Sequence, residues 1–525
     1  MASGTSEHVG KVRFWEKRGF KIAVGLVTLL AASVVGYWKY RQWVRDAAWQ
    51  AAMAEAARDV PRWRILELHE DIPEVPAEQN SALVIAQTVI TGRYDRQYYD
   101  YLEDLVSPPY RLHKKQAEIV NKHLEQVAPN LPRLRDLKHM PYGKYPIIEA
   151  QLPAFILDSQ ANARVVASWL LDDAIRLTYE GRIGEALDAC HGMLHVSRSL
   201  DRDLFLISVS VRSSLDESTR QTLEYILSQG EAREDALADL QNSLLDKTVE
   251  GHFLLALRGD RAIFHYAVDE LRAGRNVDKI LSIYFPDVPR GRRYSIQIID
   301  DLYNYINYSL TPLRVSSLLD AYPEAMHLYN QLVDIAKLPT HERNVRVKQV
   351  MSGKDSTWPG PVIPIRCDAI SAWDCVGLAS RRCSAAALAC ERYRLRYGQW
   401  PDSLRTLVAE GLLPDVPLDP FDGQELRIRR TEYGVVIYSV GENLVDDGGQ
   451  PDSVGPYVGR QRGKAPVDVG IRLWDREKRR QPPKPLMDPY TGEVILDNAP
   501  PGSTAPTGAQ DPVNQHSGKS TAPNK

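Results

Sequence analysis

The sequence predicts a mainly α protein: an N-terminal transmembrane helix, a helical-hairpin domain, a small α+β module and a disordered tail. Three observations lead to this reading. Residues 22–38 carry no charge. Apolar residues recur at helical spacing on both sides of Gly181. After the Pro- and Gly-rich stretch "GKDSTWPGPVIPI", a long helical pattern gives way to short alternating runs that read as strands. The expected boundaries are a cytoplasmic N-terminal tail at 1–20, the membrane helix at 21–39 and a helical domain with its stalk at 40–352. A linker follows at 353–366, then the α+β module at 367–478 and a Pro-rich tail at 479–525.

The anchor comes first. In "KRGFKIAVGLVTLLAASVVGYWKYRQW" the uncharged run is 17 residues long. At ~1.5 Å per residue it covers roughly 26 Å, the short end of a bilayer core. Phe20, Tyr37, Trp38, Tyr40 and Trp43 suit the interfaces, where amphipathic rings are favoured. A cleaved signal peptide is the competing reading, because Ala31, Ala32 and Ser33 offer small residues. The long basic leader, the length of the apolar run and the aromatics after it favour a retained anchor. Lys11, Arg13, Lys17, Arg18 and Lys21 precede the run, whereas Lys39, Arg41 and Arg45 follow it. That excess places the N-terminus in the cytoplasm and the bulk of the chain outside the cell (inner) membrane.

The Ala-rich stretch "WVRDAAWQAAMAEAARDVPRW" continues as a helical stalk. Residues 80–145 mix short helical runs with Pro108, Pro109, Pro129, Pro132 and Pro141, which predicts irregular packing. Val165, Val166, Trp169, Leu170, Ala174 and Leu177 then fall on one helical face, Gly181 interrupts, and Ile183, Leu187, Cys190 and Leu194 resume the pattern. Two amphipathic helices joined at a glycine form an αα-hairpin. "EGRIGEALDAC" resembles the inner turn of a tetratricopeptide unit, but the ~34-residue period of that repeat does not recur on either side.

In the α+β module a long helix over about 368–397 stops at Gly398, a short helix covers about 403–412, and "ELRIRR" and "GVVIYSV" read as two strands turning at 432–434. Cys375, Cys383 and Cys390 share one face of the long helix, too far apart along its axis for a bridge. They read as small apolar packing residues, and Cys367 is the sole feasible partner for Cys375. Five cysteines in all leave at least one thiol without an intramolecular partner.

"ERYRLRYGQWPDSLRTLVAEGLLPDVPLDPFDGQELRIRR" followed by "YSVGENLVDDGG" resembles the globular part of type II secretion major pseudopilins and related type IV pilin-like proteins. The resemblance covers under a fifth of the chain, and the whole arrangement is similar to bacterial membrane-anchored proteins of unknown function. It implies a calcium site, with Ser439, Gly441 and Asn443 matching the first ligand segment and Asp468-Val469 the second. Asn443 stands where that pattern has an aspartate, and Asp446, Asp447 and Asp452 supply compensating charge. Calcium takes ~6–8 oxygens, many of them carbonyls, so such a loop suits it chemically; the plainer reading is a glycine-rich turn. "KRGF" imitates a prepilin start, yet Val24 stands where a pilin has glutamate, and ~330 residues part the membrane from the module.

The formal net charge of −3 offers no footprint for nucleic acid. No nucleophile elbow, phosphate loop, dinucleotide glycine pattern or catalytic-cysteine signature is present. His191 and His195 share a helical face, but two ligands do not complete a metal site. The expected function is therefore non-enzymatic: a single-pass envelope protein whose helical domain binds a protein partner, with a calcium-binding pilin-like module. The alternatives are a component related to a type II secretion or pilus apparatus, and an envelope enzyme with a site inside the helical domain.

Overall fold

The computed structural model describes residues 18–88, 107–147, 152, 158–246, 251–284, 297–352, 367–449, 468–488 and 492–495. They are mainly helical, with few strands. Helix α1 (Arg18–Asp59) runs unbroken from the apolar stretch into the stalk. Its first half is bare: Ile22, Leu26, Val27, Leu29 and Leu30 are each more than 60% exposed. It is long and apolar enough to cross a membrane, with a mean hydropathy of 1.9 in its most apolar part.

The second half of α1 is bound to the body. Trp49, Ala52 and Ala56 pack on Phe264 and Val268 of α10 (His252–Arg272) and on Leu318, Tyr322 and Met326 of α12 (Gln297–Ala336). At its end Asp59 meets Arg258 at 2.8 Å, Lys337 at 2.9 Å and Arg261 at 3.1 Å. Burial alone would raise the Asp59 pKa; hydrogen bonds from Arg258 and Lys337 outweigh it and hold the carboxyl far below its usual range.

Between these lie α2 (Ile65–Asp71), which packs with Phe205, Ala262 and Ile263, and α3 (Ser81–Gln87), α4 (Lys114–Val127) and α5 (Leu131–Arg135), which cover one side of the hairpin α6 (Asp158–Tyr179) and α7 (Ile183–Arg198). The hairpin turn is made at Gly181, where φ is +79°. Arg182 N–H reaches Leu177 O at 2.9 Å and Gly181 N–H reaches Thr178 O at 3.0 Å. These two bonds form a Schellman close, which needs a left-handed residue and so selects glycine.

Helix α8 (Leu206–Gln229) is the hub, touching α6, α7, α10 and α14 (Cys367–Tyr397). It lies so close to α14 that a Cβ on Gly377 would fall 2.8 Å from Ser213 Cα. The remaining helices are α9 (Glu234–Leu244), α11 (Val277–Tyr284), α13 (Thr340–Met351) and α15 (Leu404–Ala409). Helix α14 ends at Gly398, φ +74°, and Ser403 Oγ caps α15 by accepting from Thr406 N–H.

Against α14 lies an antiparallel sheet in the order β1 (Arg427–Thr431), β2 (Gly434–Ser439), β3 (Val469–Trp474). Ile437 stands opposite Ile428 on one side and Ile471 on the other. The third strand, "VGIRLW", is an addition to the two read from sequence. The central strand β2 is buried along its whole length. Leu187, Leu194, Leu223, Leu227 and Leu240 of the hairpin region share one core with Ala386, Leu388, Leu407, Val435, Ile437, Ile471 and Leu473 of the C-terminal part. Buried charges reinforce the junction: Arg220 of α8 bonds Gly470 O, and Arg472 of β3 meets Glu224 at 2.6 Å.

The segment that composition assigns to a tail begins inside the fold. Arg479 is buried and paired with buried Glu391, and Arg480 N–H donates to Ser228 O at 2.9 Å. Beyond it β4 (Leu486–Met487) pairs antiparallel with β5 (Val494–Ile495). All five cysteines are free and buried, at packing positions.

Candidate functional site

The loop after β2 folds back over the start of β3. Asp468, only 2% exposed, accepts from Gly449 N–H at 2.6 Å and from Asp447 N–H at 3.4 Å. Asp446 Oδ1 accepts from Tyr438 OH at 3.1 Å and from Gly448 N–H at 2.9 Å. Asn443 Oδ1 caps Val445 N–H, while its amide donates to Asp447 at 2.9 Å. Positive φ at Gly441, Leu444, Gly448 and Gly449 lets the loop close. Asp446, Asp447 and Asp468 are therefore brought together. Burial raises the pKa of Asp468, and the neighbouring charges of Asp447 and Asp446 raise it further.

Ser439 faces elsewhere. Its Oγ donates to Asp419 at 2.7 Å and accepts from Gly441 N–H at 3.3 Å. Asp452 lies outside the described residues. Among the described residues no group of three or more His, Cys, Asp or Glu is placed to hold a metal ion. The fit to calcium is thus partial: the loop brings Asp446 and Asp447 near Asp468, but the Asp447 carboxylate is held by Asn443, and backbone N–H groups already occupy oxygens of Asp446 and Asp468. Asp419 is the residue the sequence reading missed here. Fully buried, it accepts from Ser439, Val440 N–H, Phe421 N–H and Arg427, and so ties the "PLDPFDG" turn to the loop.

Two clefts open on the helical part. The first, of about 560 Å³, lies between α7 and α9 and includes Lys138, His139, Asp188, His191, Asp239 and Ser243 in its walls. His191 Nε2 is 2.8 Å from Ser243 Oγ. His195 lies behind it, ring centres 4.6 Å apart, with Nδ1 donating to Leu137 O at 2.9 Å and a buried Nε2 that has no hydrogen-bond partner among the described residues. Burial pushes His191 down to about 4, and burial together with His191 pushes His195 down to about 3, so both rings are neutral at neutral pH. The shared face expected for these two histidines exists, and it serves a histidine–serine contact.

The second cleft, of about 430 Å³, lies between the end of α9, the middle of α14 and residues 415–418. Behind it the interior holds Arg198, Arg212 and Arg381 with Asp201, Asp216 and Asp246. None of these residues has a local motif around it, because they come from α7, α8, α14, the turn after α7 and the segment just after α9. One sign was available: Leu378, Arg381, Ala385 and Leu388 share a single stripe of α14, and an arginine on such a stripe marks a buried charge.

Comparison with protein-family models, with curated proteins and with solved structures finds no match to this chain, so its function is argued from its own geometry.

Proposed function

We propose that this chain is a single-pass envelope protein, N-terminus in the cytoplasm, whose helical body binds a protein partner just outside the membrane. The observation that carries the reading is α1: a bare apolar half continuous with a half locked into the body by Trp49, Ala52 and Ala56. A helix of that kind gains by burying its bare half in lipid, at ~25 cal/mol per Å² of apolar surface. Most of the tetratricopeptide-like hairpin is buried, and the cleft between α7 and α9 is the surface it leaves for a partner segment. A reporter fused at Lys525 should be active only outside the cytoplasm, and the protein should resist carbonate extraction; a cytoplasmic signal reverses the orientation. Arg233 and Asp235 lie exposed beside the larger cleft. Their charge reversal should remove a partner cross-linked to the wild type without lowering the melting temperature, and an unchanged cross-link would remove this face from the scaffold reading.

The C-terminal part is read as pilin-like, supported by a long helix laid against an antiparallel three-stranded sheet. Calcium at the loop is part of the same proposal, and the convergence of Asp446 and Asp447 on Asp468 favours a cation there.

A second reading has an observation behind it. The polar cleft with His191 against Ser243 is an arrangement in which a neutral imidazole can take a hydroxyl proton, as an envelope hydrolase would require. Labelling of Ser243 by an active-site fluorophosphonate, lost in His191→Gln, would establish it; absence of labelling would leave a structural hydrogen bond.

A further inference from the structure

Arg381 sits 8% exposed in the middle of α14, surrounded by helices. A buried arginine ordinarily spends its five N–H groups on carboxylates and carbonyls. Arg381 does not. Its Nε is 3.3 Å from Asp216 Oδ2, outside hydrogen-bond geometry, and its two terminal amino groups make no hydrogen bond among the described residues. Asp216 is engaged elsewhere, accepting from Ser197 Oγ at 2.6 Å. The other two interior arginines use their terminal amino groups: Arg198 donates to Asp246 at 2.5 Å, and Arg212 Nη1 lies 3.3 Å from His252 Nδ1, with its Nε 2.6 Å from Asp201 but off hydrogen-bond geometry. Burial and the neighbouring charge of Arg212 depress the pKa of Arg381, against the opposing pull of Asp216, Asp201 and Asp374.

The same side chain lines the second cleft. The walls beside it are Leu244, Leu245, Leu378 and Val416, and the outer rim carries Leu418, 51% exposed. Arg382 holds that rim by donating to Leu418 O at 2.6 Å. The arrangement is thus a slot of about 430 Å³ with an apolar wall on one side, Asp246, Asp415 and Arg382 also in its lining, and the hydrogen-bond-deficient guanidinium of Arg381 among them. Small-molecule sites of ~300–1,000 Å³ combine apolar walls with polar groups that fix orientation.

We propose that this slot is a binding site for a monocarboxylate bearing a short apolar chain, with the carboxylate on the terminal amino groups of Arg381 and the chain against Leu244, Leu245, Leu378 and Val416. The planar fork of an arginine matches a carboxylate with two parallel hydrogen bonds. A dianion such as phosphate is disfavoured, because Asp216 lies 3.3 Å from Arg381 Nε and Asp246 and Asp415 line the slot, and these carboxylates would repel the second charge. The chemistry is that of a free acid or of the C-terminal carboxylate of an apolar peptide.

The test uses the full chain in lipid nanodiscs and calorimetry with hexanoate, hexanol, hexylammonium and acetate. Hexanoate should bind saturably at one site per chain, and each of the other three ~10-fold or more weaker, since each lacks the charged hydrogen bond or the chain. Arg381→Gln should weaken hexanoate by ~10-fold or more while leaving hexanol unchanged. Should that variant fail to fold, Leu418→Asp decides: it alters only an exposed rim and should also weaken hexanoate. Comparing acetyl-Leu-Leu as acid and as amide separates the sources; an acid that binds more tightly than hexanoate assigns the site to a peptide terminus. Equal binding of hexanoate and hexanol, or hexanoate affinity unchanged in the folded variants, overturns the proposal.

Discussion

Asp260 shows what burial does to a single group. It is 5% exposed, its Oδ1 accepts from Leu206 N–H at 3.1 Å, and its Oδ2 has no hydrogen-bond partner among the described residues. Burial pushes its pKa up to about 7, and Asp203 nearby adds to the shift. A carboxyl raised in the folded state stabilises it fully below the unfolded value of 3.8, and that contribution is lost as pH rises through 7. Asp260→Asn keeps the acceptor for Leu206 and removes the ionisation. The variant should melt like the wild type near pH 4 and higher at pH 8, by on the order of a few kcal/mol. Parallel profiles would show that water reaches the carboxylate. His195 and His252 work in the opposite sense. Burial pushes both down to about 3, so their contribution is complete above pH 6.5 and is lost as pH falls towards 3. None of this was legible from the sequence, where Asp260 is one of many isolated carboxylates and only tertiary packing seals it.

At the scale of elements, the turn at Gly181 was legible because glycine between two helical periods is a local signal. Gly181→Val should cost about 1–2 kcal/mol, read as a lower melting temperature. The cause is backbone strain at φ +79° and not a clash, since the nearest atom to an added Cβ is Arg480 Nη1 at 3.8 Å. Strand β3 was missed because "APVDVGIRLW" begins in a Pro- and Gly-bearing context that reads as loop. The pairing of Arg479 was missed for a related reason: a run of Lys, Arg and Pro looks solvated, and one residue of it closes a pair with Glu391. Removing one partner of a buried pair strands the other. Arg479→Met should therefore cost about 3 kcal/mol in denaturant unfolding, whereas Lys478→Met should be near neutral because that residue is exposed.

For the whole molecule, the mainly helical architecture and the exposed apolar helix were legible, because long periodic segments carry their own evidence. The sharing of one core was not. Leu187, Leu223 and Leu240 share a core with Val435 and Ile471 across about two hundred residues of chain or more, and no local pattern announces such contacts. A fragment comprising residues 367–478 alone should consequently aggregate or melt non-cooperatively, because it exposes the face of α14 that α8 and α9 cover. The calcium test therefore belongs to the full chain. Calcium should raise its melting temperature relative to chelator, following RT ln(1 + [L]/Kd), and Asp468→Asn should abolish the difference. Coincident curves for the wild type would leave the loop as a turn.

The unbroken course of α1 makes the body a fixed attachment and not a tethered one. Trp43, at the expected lipid interface, and Trp49, which is in the core, are separated by six steps of helix, ~9 Å of rise. The body consequently has one azimuth about the helix axis. A single residue inserted there would turn it by ~100° against the membrane, whereas seven would restore its facing and raise it by ~10 Å. Insertion length thus becomes a compass: a partner embedded in the bilayer would be lost and regained with helical phase, while a freely diffusing one would be indifferent.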